Sequence, residues 1–173
     1  MSHDHDHEGG FDPHLWTDPA RMVAGVEALG ESLAQLDGID TTTLQQQVDA
    51  YVTELQALDA EIEADLAAVP DGPRVLVTNH EALAYFADRY GFEIVGAVVP
   101  SLTTSAETSA RELEELAHVI EAEGIPAIFA ETTQSTELAE ALAGEVGGEV
   151  QIVELYTESL GEPGSGAESY IGL

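Results

Sequence analysis

Apolar residues recur in threes and fours through the first half of this chain and gather into short runs through the second. Met22, Val23, Val26, Leu29, Leu33 and Leu36 lie at helical spacing, which predicts a helix starting at Pro19 and ending near Gly38. Asp18 is placed to cap it, and proline suits the first helical position. Leu44, Val48, Tyr51, Leu55, Leu58, Ile62 and Leu66 predict one long helix from Thr41 to Val69, stopped by Pro70, with Asp and Glu on its opposite face. Beyond Pro70-Asp71-Gly72-Pro73 the pattern changes. Val75, Leu76 and Val77 read as a buried parallel strand, and Ala82, Leu83, Tyr85, Phe86 and Ala87 as a helix closed by Gly91. Phe92 to Val99 follows as a second strand, Ser109 to Glu123 as a helix, and Ile125 to Ala130 as a third strand. Ser135 to Val146 is then a helix and Val150 to Tyr156 a fourth strand. The pattern predicts an α/β fold: a four-stranded parallel sheet with flanking helices, preceded by a long helix. With strand order 2-1-3-4, the first and third strands adjoin at the topological switch point, and residues after their carboxyl ends share a crevice.

Charge narrows the choice of partners. The 173 residues hold 34 acidic side chains and four basic ones, Arg21, Arg74, Arg89 and Arg111, for a formal net charge of −30. Phosphate backbones and anionic membrane surfaces are repelled by such a chain, so nucleic acid is excluded as a partner, whereas metal cations are attracted. The acidic residues are dispersed and lysine is absent, which fits a protein kept soluble in concentrated salt and suggests a halophilic source. There is no cysteine, so disulfides and thiolate metal sites are ruled out. No stretch is long and apolar enough to cross a membrane, and no signal peptide precedes Phe11. Ile171-Gly172-Leu173 closes the chain without a polar tail, so a fragment cut at both ends is expected.

Histidine supplies the candidate chemistry. His80 falls where the first strand hands over to a helix, a position for a base, a proton donor or a metal ligand, and equally for a residue that caps the helix. His14 lies between Asp12-Pro13 and Asp18-Pro19, beside the sole tryptophan, in a loop that the two prolines stiffen. It is either functional or packed on Trp16. Glu131 and Glu158 follow the third and fourth strands. With His80 at the same sheet edge they could form a catalytic acid/base set or a cation site. Glu131 could equally accept backbone N–H bonds and only close its loop; that structural role is put ahead for Glu131 and the functional one for Glu158. His118 reads as a surface residue paired with Glu114, Glu115 or Glu121. Residues 1–10 contain His3-Asp4-His5-Asp6-His7, a low-complexity tract expected to be mobile and to scavenge cations.

Four motifs occur in a recognisable order: Asp12-Pro13-His14-Leu15-Trp16, Asn79-His80 through Tyr85-Phe86 with Tyr90-Gly91, Phe129-Ala130-Glu131, and Leu155-Tyr156-Thr157-Glu158-Ser159-Leu160-Gly161. Together they resemble the zinc/manganese solute-binding proteins of ABC transporters, with the His/Asp tract similar to the metal-collecting loop of zinc-type members. The resemblance implies two α/β lobes joined by a long helix, with residues 11–38 as the end of the first lobe, 41–69 as the interlobe helix and 74–173 as the second lobe. It implies His14, His80 and Glu158 as metal ligands, with Glu158 standing where many members have Asp. A further histidine ligand of the family belongs to a part of the first lobe that has no counterpart here. It also implies Zn²⁺ in preference to Mn²⁺, a membrane permease as partner, a monomer, and an extracytoplasmic location whose signal or lipoprotein segment lies outside this chain. Imidazole suits Zn²⁺ better than Mn²⁺, and each ligand imidazole needs its other nitrogen held, by Glu131 or by a backbone carbonyl. The competing expectation is a small metal-dependent hydrolase using His80 and a carboxylate, but no second base or nucleophile motif accompanies it. A phospho-signalling domain is disfavoured by Thr78-Asn79-His80 after the first strand and by the missing lysine.

Overall fold

The computed structural model describes residues 11–69, 74–103, 108–146 and 150–173. The His3–His7 tract therefore lies outside the described residues, as does Pro70-Asp71-Gly72-Pro73. A 3-10 turn at Leu15–Thr17 leads into α1 (Pro19–Leu33) and the long α2 (Thr41–Ala68). Then come β1 (Val75–His80), α3 (Ala84–Tyr90), β2 (Glu93–Val99), α4 (Ala110–Glu123), β3 (Ala127–Glu131), α5 (Glu137–Glu145) and β4 (Gln151–Leu155).

Local chemistry sets most helix ends. The Asp18 carboxylate accepts hydrogen bonds from the backbone N–H groups of Ala20 and Arg21, and Asp40 does the same for Thr42 and Thr43 at the head of α2. Ser109 and Glu112 form a reciprocal capping box on α4, and Gly124 ends that helix in the left-handed conformation. α1 stops at Leu33, short of the Gly38 predicted from periodicity. Gln35 and Leu36 donate to the carbonyls of Ser32 and Leu33, so the chain tightens into i→i+3 turns before Gly38 reverses it at φ +85°. α1 then lies along α2 so closely that a Cβ on Gly30 would stand 2.8 Å from Val48 Cγ2.

The sheet is parallel with the order β2-β1-β3-β4. The first crossover steps from β1 out to β2, and the next two step the other way. Right-handed connections consequently put α3 on one face and α4 and α5 on the other. Val77, Val98 and Ile128 build the core with Leu116 and Ile120 of α4 and Ala139 and Leu142 of α5. Thr78 pairs with Phe129, so two residues on, His80 and Glu131 end their strands side by side on the α3 face. No described helix is long and apolar enough to cross a membrane.

Three of the four arginines tie the helices together on the α3 side of the sheet. Arg89 grips the Asp59 carboxylate of α2 through Nε (2.5 Å) and Nη2, and its Nε also lies 3.5 Å from Asp18 Oδ1. Tyr90 donates to the same Asp59 carboxylate at 2.8 Å. The Arg89 hydrogen bond, reinforced by Tyr90, holds Asp59 below the usual carboxylate range. Arg74 donates to the carbonyls of Tyr90 and Leu66, closing the ends of α3 and α2 together. Arg21 stacks over the Tyr85 ring at 4.1 Å. The remaining acidic surface has few cations to balance it, so added salt is expected to stabilise the fold by screening self-repulsion. Thermal melts in dilute buffer and in molar potassium chloride check this; a midpoint that stays flat or falls with salt contradicts it.

Candidate metal centre

One of the three predicted ligands arrives on a strand and the other two on loops. His80 is the last residue of β1, wholly buried and held in place by the ladder to β2, where it pairs with Val99. The strand runs three residues past the Val75–Val77 stretch read from the apolar run. α3 does not start until Ala84, and Leu83 is its N-cap, so His80 does not cap a helix. His14 lies on the loop before the 3-10 turn and is 2% exposed. Glu158 follows β4 on a loop, its side chain 25% exposed.

These three side chains converge. His80 Nε2 lies 3.3 Å from His14 Nε2 and 3.3 Å from Glu158 Oε1, and His14 Nε2 lies 3.6 Å from the same oxygen. Ligand atoms around a tetrahedral Zn²⁺, with bonds of about 2.0–2.1 Å, stand about 3.3–3.4 Å apart. The triangle has that size. Among the described residues it is the one group of three or more His, Asp or Glu side chains close enough together to hold a metal ion.

The opposite side of each imidazole is held by a carboxylate. His80 Nδ1 faces Glu131 Oε1 at 3.0 Å, and His14 Nδ1 faces Asp12 Oδ1 at 2.7 Å. A carboxylate at Nδ1 keeps the proton there and leaves the Nε2 lone pair for a cation. Glu131 is buried and accepts a second bond from Asn79 Nδ2 at 2.9 Å. The expectation that it closes a loop on backbone N–H groups is corrected, because its partners are side chains. Burial draws the His80 pKa down, but the hydrogen bond to Glu131 and the charges of Glu131 and Glu158 together lift it above the usual imidazole value. His118 is exposed and forms no ion pair among the described residues, contrary to the pairing predicted for it.

Several supports of this cluster have no periodic signature. Tyr85 on α3 donates to the Asp12 carbonyl at 3.1 Å. Trp16 Nε1 donates to the Thr157 carbonyl, and Tyr170 donates to the Trp16 carbonyl, each at 2.6 Å. Trp16 also stands edge-on to His14, so the packing contact weighed for that histidine exists alongside its place in the cluster. Asp12 was within reach of sequence reasoning. An Asp before a proline commonly folds its carboxylate back onto the residue two positions on, and Asp12 Oδ1 accepts from the His14 backbone N–H at 2.9 Å.

Comparison with known proteins places the chain in a family. The family model described as ZnuA, zinc-uptake complex component A periplasmic, matches residues 1–173. The chain belongs to that family. It is 35% identical over 170 residues to the zinc-binding protein TroA of Treponema pallidum, covering 96% of this chain and 54% of TroA. It is 29% identical over 164 residues to the manganese-binding lipoprotein MntA of Halalkalibacterium halodurans, covering 95% and 54%. The zinc-binding lipoprotein AdcA of Streptococcus pneumoniae is 32% identical over 174 residues, covering 99% and 34%. The solved structure of the periplasmic zinc-binding protein TroA superposes with a TM-score of 0.87 at 37% identity, covering 96% of this chain and 61% of that one. The four-stranded α/β sheet and the long helix before it are thus the fold of this family. The chain spans about half the length of TroA and MntA.

Proposed function

We propose that this chain carries the cation grip of an extracytoplasmic receptor for an ABC importer, binding Zn²⁺ at His14, His80 and Glu158 for delivery to a membrane permease. The observation that carries the reading is the triangle of two imidazole nitrogens and one carboxylate oxygen, sized for a tetrahedral ion. Two neutral imidazoles favour Zn²⁺ over Mn²⁺, which prefers oxygen ligands. TroA and AdcA, named as zinc-binding, support that preference, while MntA is named as manganese-binding. In this reading residues 11–38 end a first lobe, 41–69 join the lobes, 74–173 form the second lobe, and the protein acts as a monomer. Catalysis is not part of the proposal. With both imidazole Nε2 atoms and Glu158 taken as ligands, and both Nδ1 atoms tied to carboxylates, the cluster keeps no base for a hydrolase.

Calorimetric titration with Zn²⁺ and with Mn²⁺ tests this. One tight Zn²⁺ site is expected, with Mn²⁺ at least about tenfold weaker. Removing residues 1–8 should reduce the ions taken up at high zinc and leave the tight site unchanged. A tight site that disappears with residues 1–8, or one that prefers Mn²⁺, defeats the respective part of the proposal.

A further inference from the structure

We propose that Trp16 and Tyr170 form a brace that sets the His14 loop in register with the Glu158 loop, making both of them positioning residues of the cation site. The inference rests on the metal-site reading above and adds a control outside the ligand set.

Three contacts converge on Trp16. Its indole N–H donates to the carbonyl of Thr157, the residue just before Glu158, at 2.6 Å across 141 chain positions. Its own carbonyl accepts from the Tyr170 hydroxyl at 2.6 Å. Its ring stands edge-on to the His14 imidazole, with centroids 5.3 Å apart and planes at 71°. One side chain therefore touches His14 on one side and the backbone leading to Glu158 on the other.

The site needs such a link because its three members are unequally held. His80 is locked by strand pairing. His14 and Glu158 both lie on loops, and Asp12 sets the tilt of the His14 ring without fixing its distance to Glu158. Tyr85 anchors the near end of the His14 loop to α3 through the Asp12 carbonyl. Trp16 and Tyr170 anchor the far end to the segment after β4. Loops left free would have to be ordered on each binding event, and that ordering opposes affinity. Tyr170 remains a donor over the working pH range, because burial and the nearby Tyr51 and Asp18 charges push its hydroxyl up to about 12.

The test uses the full chain and Zn²⁺ alone, measured by competition with a chelator. Trp16→Phe keeps a ring against His14 and removes the N–H; Tyr170→Phe keeps its ring and removes the hydroxyl. Each is expected to weaken the tight site on the order of tenfold, as supporting partners of metal ligands do. Because the brace acts through Glu158, Trp16→Phe should cost less than about threefold in a chain already carrying Glu158→Gln. An equal loss with and without Glu158→Gln means a merely structural tryptophan and overturns the brace. So does unchanged affinity in both single variants while His80→Ala still abolishes binding, an outcome that leaves the metal site standing. Absence of any His80-dependent binding in the parent removes the site and the brace together. Melts of the metal-free proteins report folding, and Tyr170→Phe, which touches no ligand, carries the test if Trp16→Phe does not fold.

Discussion

His80→Ala is expected to lower the affinity of the tight Zn²⁺ site by about a hundredfold or more, which is about 2.8 kcal/mol at 1.4 kcal/mol per tenfold. His80 is the hub of the triangle. Its Nε2 lies 3.3 Å from both other ligand atoms, and without it His14 and Glu158 are left 3.6 Å apart as two donors of four. The same substitution removes the partner of a carboxylate that is 3% exposed, and breaking a buried pair from one side costs about 3–5 kcal/mol of stability. Lost zinc binding and lost folding would then be confounded. His80→Gln separates them, because an amide N–H still reaches toward Glu131 but supplies no imidazole to the cation. Calorimetry on both variants, beside a melt of each without metal, is the check. If either folded variant binds Zn²⁺ as tightly as the parent, His80 is not a ligand and the central assignment fails.

Glu131→Gln is expected to move the pH dependence of the site as well as its strength. In the parent, Glu131 and Glu158 outweigh burial and raise the His80 pKa, so protons compete with Zn²⁺ and binding falls as pH drops through a value above about 6.5. Neutral glutamine keeps an acceptor for Nδ1 but removes the nearer charge. The His80 pKa then falls and the acid limb of zinc binding shifts to lower pH. Affinity at alkaline pH drops by about 10–100-fold, because a carboxylate makes the imidazole a better donor. Stability of the metal-free chain moves in the matching direction. A histidine with a raised folded-state pKa stabilises fully below its unfolded value, and that contribution is lost as pH rises through the folded value. The parent should therefore gain stability from this group as pH falls through the raised folded-state value to below the ordinary imidazole value of about 6.5, and Glu131→Gln should lose that gain. Zinc titrations across pH, with denaturant midpoints at the two ends, measure both. An acid limb that stays where it was in Glu131→Gln would place the controlling proton elsewhere.

Much of the architecture was legible in local pattern, because helix and strand periods are written in side-chain spacing. The apolar stripe of α2, the run at Val75–Val77 and the glycines and prolines between elements foretold a parallel α/β sheet and a long helix before it. Asp18 and Gly91 announced a helix start and a helix end for the same reason, since caps act within a few residues. Motif order then pointed to His14, His80 and Glu158. Pattern failed where neighbours in space outweigh neighbours in sequence. β1 outlasts its apolar run because pairing with β2 carries it through Thr78, Asn79 and His80. Asp59 looked like one more solvated carboxylate on an acidic helix face, yet it is gripped by Arg89 and Tyr90, thirty and thirty-one positions away. The meeting of His14 and His80 across 66 positions was an expectation from motifs alone until sheet order, strand register and the arginine ties set where the first loop lies. Glu131 was one of the holders expected for a ligand imidazole, but only the folded chain gives it to His80, gives Asp12 to the other face of His14, and sets Trp16 between the His14 ring and the Thr157 carbonyl. Hydrogen bonds of that kind are chosen by distance and angle in three dimensions, and no period along the chain encodes them.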